Sequence, residues 1–433
     1  MKLPKRKRSQ LVRALAPLRD FLQTEAAGGA LLVVAAVAAL VWANSPWSAS
    51  YDRLWHSAAD IGFAGHQLSL DLRDWVNDGL MAIFFLVVGL EIKREVTSGH
   101  LAGRRAATLP IAAAIGGMVV PALLYLAIAG RTAANGWGVP MATDIALAVG
   151  VMALAGSSVP SSLRAFLLGL AVVDDIGAIV IIAVFYSTGI AFGWLAAAVI
   201  AVGAAVLIQR LGVHHTLVFT VIGVFLWFAL HEAGVHPTLA GVVMGLLAPV
   251  TPRATPDLID VEELNDLSSV ENVRLSSQIV RSTVSTVEWL EHVLHPWTSY
   301  LIVPLFAFAN AGIEVSNKTL AAAWRSPVTW GIIVGLMVGK PLGVVLAAKL
   351  ATRVGMADPP QGASGRQLLG AGHAAGIGFT IAIFIAELAF TDPEHIEAAK
   401  LAILIASLLT GVFAFVVLRQ RAPAAPDHAA IVE

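Results

Sequence analysis

LRAFLLGLAVVDDIGAIVIIAVFYS, residues 163–187, decides how the chain is read, because after Arg164 its only charges are the neighbouring acids Asp174 and Asp175. A helix of about 20 apolar residues crosses the hydrocarbon core of a bilayer, and each mid-depth aspartate costs roughly 2.5–3.5 kcal/mol on insertion scales. A membrane-length segment with two such acids needs a compensating partner. Adjacent helical residues point about 100° apart, so the two carboxyl groups line two sides of a shared cavity rather than face one point. Protonated acids also serve as interhelical hydrogen bonders, but two neighbours at one depth favour a site over that role.

Working outward, the composition agrees. The 433 residues are 57% hydrophobic and 13% charged, whereas ordinary soluble domains are about 25% charged. This is the composition of an integral membrane protein, with the lipid bilayer as its partner. A formal net charge of −1 offers no field for a nucleic acid or another polyanion. The absence of cysteine removes disulfides, thiolate metal sites and cysteine nucleophiles.

Apolar windows near 26–43, 79–97, 108–129, 137–155, 165–187, 190–208, 216–231, 236–250, 298–313, 329–350, 367–390 and 399–418 predict about twelve spans. An even number puts both termini on one side. With the N-terminus inside, the inner side carries the basic tail, Lys93, Arg94, Arg104, Arg105, Arg164, Arg210, Arg253, Arg353, Arg366, Arg419 and Arg421. The outer side carries only Arg53, Arg73, Arg131, Lys318, Arg325 and Lys400. The positive-inside rule therefore predicts cytoplasmic termini, and Trp42, Trp75, Trp137 and Trp297 near span ends fit interfacial anchoring. MKLPKRKRSQ reads as a positive-inside anchor before a retained first span, since the apolar run Ala26 to Ala43 is long for a signal peptide and has no convincing cleavage site.

Two extramembrane segments stand out. In residues 45–74, GHQLSLDLRDW alternates Leu68, Leu70 and Leu72 with polar residues, predicting a short strand in an external hairpin able to pair with a second subunit. Residues 251–295 form an inner connection, acidic and then amphipathic, with Val280, Val284, Val287, Leu290 and Leu294 at helical spacing. It is expected along the membrane surface or against the bundle.

The span before the paired acids contains GWGVPMATDIALAVG, where Gly136, Gly138 and Pro140 disturb the helix just ahead of Thr143 and Asp144. A restarted half-helix exposes N–H groups with positive dipole charge, which Asp144 can neutralise; a proline kink capped by Asp144 is the simpler alternative. GAGHAAGIGFTIAIFIAELAF is a second glycine-interrupted segment, with its break expected near Gly376 and Gly378, or else small residues serving close packing. The span preceding it, GLMVGKPLG, puts Lys340 deep among apolar residues, where an ammonium needs an acid or helix carbonyls. Asp174 or Asp175 is the obvious acid. Spans 3 to 5 and 10 to 12 each having a disrupted middle helix suggests an inverted repeat, with Asp144 serving one set of half-helix ends and Lys340 the other.

These residues resemble the NhaA family of bacterial sodium/proton antiporters, itself an example of the inverted-repeat transporter architecture. The match runs from about Thr24 to the last span, through NDGLMAIFFLVVGLEIKRE, GWGVPMATDIALAVG, AVVDDIGAIVI, GVHPTLAGV, LEHVLHPW, PLFAFANAGI, GKPLG and GIGFTIAIFIAELAF. The resemblance implies an all-α polytopic protein of the bacterial cytoplasmic membrane with two discontinuous helices, no cofactor, and Na+, Li+ and H+ as transported ions. It implies Asp175 as principal cation ligand and Asp174 as its partner, with Lys340 pairing with Asp174 until the cation binds. Thr143 and Asp144 match the helix crossing. Glu91, Glu95, His236 and Glu291 match positions linked to pH response, and Asp78 an acid of the second span. Read from the residues alone, Glu91 and Glu95 beside Lys93 and Arg94 equally fit an inner-edge charge cluster, and His236 a helix-start hydrogen bonder. A homodimer joined partly through the hairpin is implied too. Residues 251–288 match no family motif, which leaves the pH set-point open.

The organisation expected is a basic tail (1–25), spans 1–2 with the hairpin (26–107), a first core repeat (108–190), spans 6–9 with the connection 251–295 (191–327), a second core repeat (328–420) and a short tail (421–433). The expected function is pH-dependent, electrogenic sodium (lithium)/proton antiport, with two protons entering per sodium exported. A passive channel would not need Lys340 beside the acids, and an intramembrane aspartyl protease needs its aspartates on facing helices. A sodium-coupled solute symporter of similar fold is the serious rival and would require an organic substrate, which is not expected here.

Overall fold

The computed structural model describes residues 25–63, 66–99, 101–187, 189–213, 215–251 and 284–420. The basic cluster of the N-terminus, Val280 with most of the inner connection, and the tail 421–433 lie outside the described residues. Nearly everything described is helical, because a chain in lipid has to satisfy its backbone groups internally. In chain order the helices are α1 (Glu25–Ala43), α2 (Ser48–Trp55), α3 (Leu72–Thr97), α4 (Arg104–Ala133), α5 (Ile145–Ala155), α6 (Ser161–Phe185), α7 (Phe192–Arg210) and α8 (Thr216–Glu232). They continue with α9 (Leu239–Leu247), α10 (Thr286–Trp297), α11 (Val303–Asn310), α12 (Asn317–Arg325), α13 (Pro327–Arg353), α14 (Gly365–Ala375), α15 (Phe379–Ala389) and α16 (Pro393–Arg419). By length and composition, six helices are able to cross a membrane, or up to eight if each of two bent pairs counts as one span. Each of the twelve apolar windows of the sequence overlaps a helix, but 137–155 and 367–390 include the breaks at 142–144 and 376–378.

One of the six candidates, Arg105–Met141, is not a single rod. Gly136 abuts the Tyr125 ring, and Gly335 lies against both Pro121 and Pro140. The tight helical stretch Ala134–Met141 therefore turns back along α4, and belongs with α5 as the sequence pattern around Pro140 suggested. Residues 142–144 between them are extended. α14 and α15 are likewise separated at 376–378 and bent by 45°.

The hairpin forms as β1 (Ala58–Phe63) antiparallel to β2 (His66–Asp71), with Ala59 opposite Leu70. Leu72 is not its last strand residue. Asp71 caps the start of α3 by accepting from the Asp74 N–H at 2.7 Å, so the helix begins there. The hairpin is tied to α3 by the Trp75 indole, which donates to the Ala59 carbonyl at 2.9 Å. α10 packs its apolar face against the bundle, with Val287 fully buried beside Leu90 and Ala248. Lys400, counted among the outer basic residues, is only 5% exposed, on α16.

α4 and α13 approach backbone to backbone. A Cβ on Gly343 would strike the Gly116 carbonyl, and one on Gly116 would strike Gly343 in return. Small residues let membrane helices meet backbone to backbone, and this contact fixes Lys340, which lies one turn before Gly343. Gly343→Val is expected to lower stability by about 1–3 kcal/mol through overpacking, read as a lower unfolding temperature in detergent. Gly193→Ala on α7, where the added methyl meets open space, is expected to leave that temperature unchanged.

Candidate functional site

The two interruptions cross. The Asp144 N–H donates to the Ile377 carbonyl at 2.6 Å, so each interruption supplies a backbone partner to the other. On one side of the crossing lie two helix N-termini. Asp144 Oδ1 accepts from the Leu147 N–H at 3.1 Å and caps α5, while Oδ2 accepts from the Thr380 N–H at 3.2 Å and its hydroxyl at 2.6 Å at the start of α15. The neighbouring Phe379 N–H donates to Ser407 Oγ on α16 at 3.1 Å. One carboxylate thus faces the positive ends of two helices, where a negative charge is favoured.

On the other side lie two C-terminal ends. The Lys340 ammonium donates to the Met141 carbonyl, at the end of the tight stretch. Thr143 Oγ1 lies 2.8 Å from the Ala375 carbonyl, the last of α14, and 2.6 Å from Asp174 Oδ2. Its single proton serves one of these acceptors at a time. Lys340 Nζ also lies 2.5 Å from Asp174 Oδ2, and the lysine is 0% exposed. Of the two acids the sequence left open as partners, the ammonium takes Asp174.

Asp174 Oδ1 is buried and has no hydrogen-bond partner. The Asp175 carboxyl, 7% exposed, makes no hydrogen bond to a described residue. The charges within electrostatic reach of Asp175 are Glu91 on α3, then Asp174, Asp144 and Lys340. This brings the half-buried Glu91 to the rim of the site. The arrangement offers carboxylate oxygens and no nitrogen or sulfur ligand, which suits a hard cation.

The remaining sequence candidates form two outlying groups. Toward the hairpin end, His236 Nε2 lies 3.5 Å from Asp78 Oδ1, and His236 Nδ1 lies 2.7 Å from the Thr238 hydroxyl. The Trp227 indole, stacked on Trp75, donates to the Asp78 carbonyl at 2.9 Å. At the opposite end, Arg94 pairs with Glu291 of α10, and a cavity of about 610 Å³ is lined by Arg94, Glu95, Ser98, Gly99, Leu168 and Glu288. Its walls come from α3, the turn after it, α6 and α10.

Sequence reading missed Thr380 and Ser407, though a hydroxyl just after a glycine break is a helix-start signal. It missed the amide pair in which Asn310 Nδ2 donates to Asn77 Oδ1 at 2.7 Å; an amide inside the apolar run FAFANAG was the available clue. It also passed over Glu387, the sole acid of its span, whose Oε1 lies 2.5 Å from Lys400 Nζ.

The chain matches the family described as Na+/H+ antiporter 1 over residues 19–418. It is 47% identical over 423 residues to the Na(+)/H(+) antiporter NhaA of Oleidesulfovibrio alaskensis, covering 94% of each chain. It is 45% identical over 416 residues to the Na(+)/H(+) antiporter NhaA 2 of Sorangium cellulosum, covering 93% of this chain and 89% of that one. With the Na(+)/H(+) antiporter NhaA of Rhodopirellula baltica the identity is 44% over 414 residues, 92% of this chain and 93% of the relative.

Two predictions follow from the pairs. Lys340→Met leaves Asp174 buried and unpaired, a loss of about 3–5 kcal/mol for such a charge; Asp174→Asn combined with it should recover much of that. A double-mutant cycle by thermal unfolding reads the coupling, and simple additivity would contradict it. Burial raises the Glu291 carboxyl above its ordinary range, against the opposing pull of Arg94. The packed arrangement thus holds the proton more tightly than an open one, so packing weakens as pH rises from the ordinary glutamate range through the raised value. Hydrogen exchange across α10 should accelerate over that interval, and Glu291→Gln should flatten the dependence.

Proposed function

The chain belongs to the Na+/H+ antiporter 1 family, and from that membership together with the carboxylate site at the helix crossing we propose that it exchanges intracellular Na+ or Li+ for external protons. The observation that carries the reading is the shared carboxylate. Lys340 holds one oxygen of Asp174, while the other oxygen and the neighbouring Asp175 are buried without hydrogen-bond partners among the described residues. An ionised carboxylate in low-dielectric surroundings needs a positive partner. A proton, the Lys340 ammonium and a metal cation can each provide it, and they compete. Binding of the cation then releases protons, and proton binding releases the cation.

If Asp175 and the Asp174–Lys340 pair each give up a proton when one Na+ binds, two protons enter for each Na+ exported. Each cycle then moves one net charge inward, driven by membrane potential at about 2.3 kcal/mol per 100 mV. Asp174 and Asp175 are the cation ligands on this reading, Lys340 the proton-coupled competitor, and Asp144 with Thr143 the compensation of the helix ends. Glu91, Glu95, His236, Glu291 and Asp78 tune the response to pH. The protein sits in the bacterial cytoplasmic membrane with both termini inside, so the hairpin end faces outward and the Arg94 cavity faces the cytoplasm. We read 108–190 and 328–420 as inverted repeats: a long helix, an interrupted segment and a long helix in each. The hairpin edge is the contact of a homodimer.

The test uses everted vesicles with an acid interior, following lumenal pH as salts are added outside. Na+ or Li+, but not K+, should dissipate the gradient, and Asp175→Asn should abolish the response in folded protein. An imposed membrane potential should change the rate. No cation response across neutral and alkaline pH would overturn exchange, and dependence on an organic solute would establish symport instead.

A further inference from the structure

Glu387 and Lys400 form a buried ion pair that the exchange chemistry does not use. Glu387 lies in the last turn of α15, and Lys400 in the first half of α16. Their side chains are 19% and 6% exposed. Arg73, at the start of α3 beside the hairpin, and Glu397 also act electrostatically on Lys400, which puts the pair at the hairpin end of the bundle. Buried ion pairs seldom stabilise a fold more than apolar side chains of similar size would. In a membrane protein such a pair therefore calls for a role beyond packing.

The course of α15 supplies one. Its first turn carries Thr380, whose backbone and hydroxyl both donate to Asp144. Glu387 is seven residues further on, two turns along a short helix and about 10 Å by helical rise. A rigid segment of this length transmits displacement of one end to the other. At the hairpin end α15 is closed against its neighbours by the ion pair and by Phe384, which packs on Phe85, Phe306 and His236.

We propose that Glu387 and Lys400 form a latch that holds the hairpin-end half of α15 against α16 while the site is closed at that end, and that separates when the site opens toward the hairpin. They are positioning residues, acting on the cation site through Thr380 and Asp144. Opening admits water that solvates both charges, so the pair holds the closed arrangement without locking it. The assignment of this end to the outside rests on the exchange reading above; the latch itself does not.

The absence of cysteine from the chain allows a clean reporter. Ile383, fully buried one turn before Glu387 on the same face, is replaced by Cys. The labelling rate is measured in proteoliposomes with a membrane-impermeant maleimide added to either side. Labelling should be slow in the reporter alone and several-fold faster from one side in Glu387→Gln and in Lys400→Gln. The reversed pair Glu387→Lys with Lys400→Glu should return it toward the slow rate. A purely structural pair would change unfolding temperature without this one-sided exposure. Unchanged labelling in folded Glu387→Gln overturns the latch. If the single variants do not fold, the reversed pair decides: slow labelling supports the latch and fast labelling overturns it. The readout needs no transport, so it separates failure of the latch from failure of the exchange reading.

Discussion

Four helix ends meet at one depth in this bundle, and the rest of the structure is arranged so that none is left bare. Interrupting a helix inside a bilayer exposes N–H and C=O groups that water cannot reach, at a cost of several kcal/mol per orphaned group. Here the costs are met by pairing. Asp144 takes the N-terminal ends of α5 and α15, Lys340 and Thr143 take the C-terminal carbonyls of Met141 and Ala375, and the two interruptions share a backbone hydrogen bond. Each charge is in the place where the helix dipole favours it. The backbone contact of Gly116 with Gly343 follows from the same requirement, since Lys340 reaches the crossing only if α13 lies directly on α4.

Lys340 has two tasks in this arrangement, and they are inseparable. It balances a helix end through the Met141 carbonyl and a buried acid through Asp174. On the exchange reading, a cation arriving at the free oxygen of Asp174 disturbs the second task and therefore the first. On the exchange reading, ion occupancy and the electrostatic balance of the crossing are one variable, which gives the protein a direct physical route from binding to helix movement. Thr143 has the same character: its single hydroxyl proton is contested between Asp174 and the end of α14.

Much of this was written in residue types. Charged side chains in apolar runs are rare enough that Asp174, Asp175, Asp144 and Lys340 declare themselves, and glycine with proline marks where the helices fail. The sequence could not say which acid Lys340 takes, because that depends on how α13 is rotated against α6, a property of packing rather than of spacing. Nor could it foresee that one carboxylate, Asp144, caps two helices from different parts of the chain. The burial of Lys400 was not legible for a related reason. Near a span end a lysine ordinarily reaches water, and only the approach of α15 supplies the partly buried Glu387 that holds it inside. Helix-start hydroxyls such as Thr380 and Ser407 were overlooked because, unlike a buried charge, a hydroxyl in an apolar run is ordinary.

A kinked continuous helix would have satisfied the backbone more cheaply, so the interruptions need a reason. A kink displaces one or two hydrogen bonds and leaves the dipole continuous, with no net charge to balance at mid-depth. Two full breaks instead create two positive and two negative ends within a few ångströms of each other. That local field lets Asp144 and Lys340 remain where lipid alone would expel them, and on the exchange reading it sets the background against which Asp174 and Asp175 take or lose a positive partner. The broken helices are thus what makes a membrane interior able to hold several ionisable groups at once.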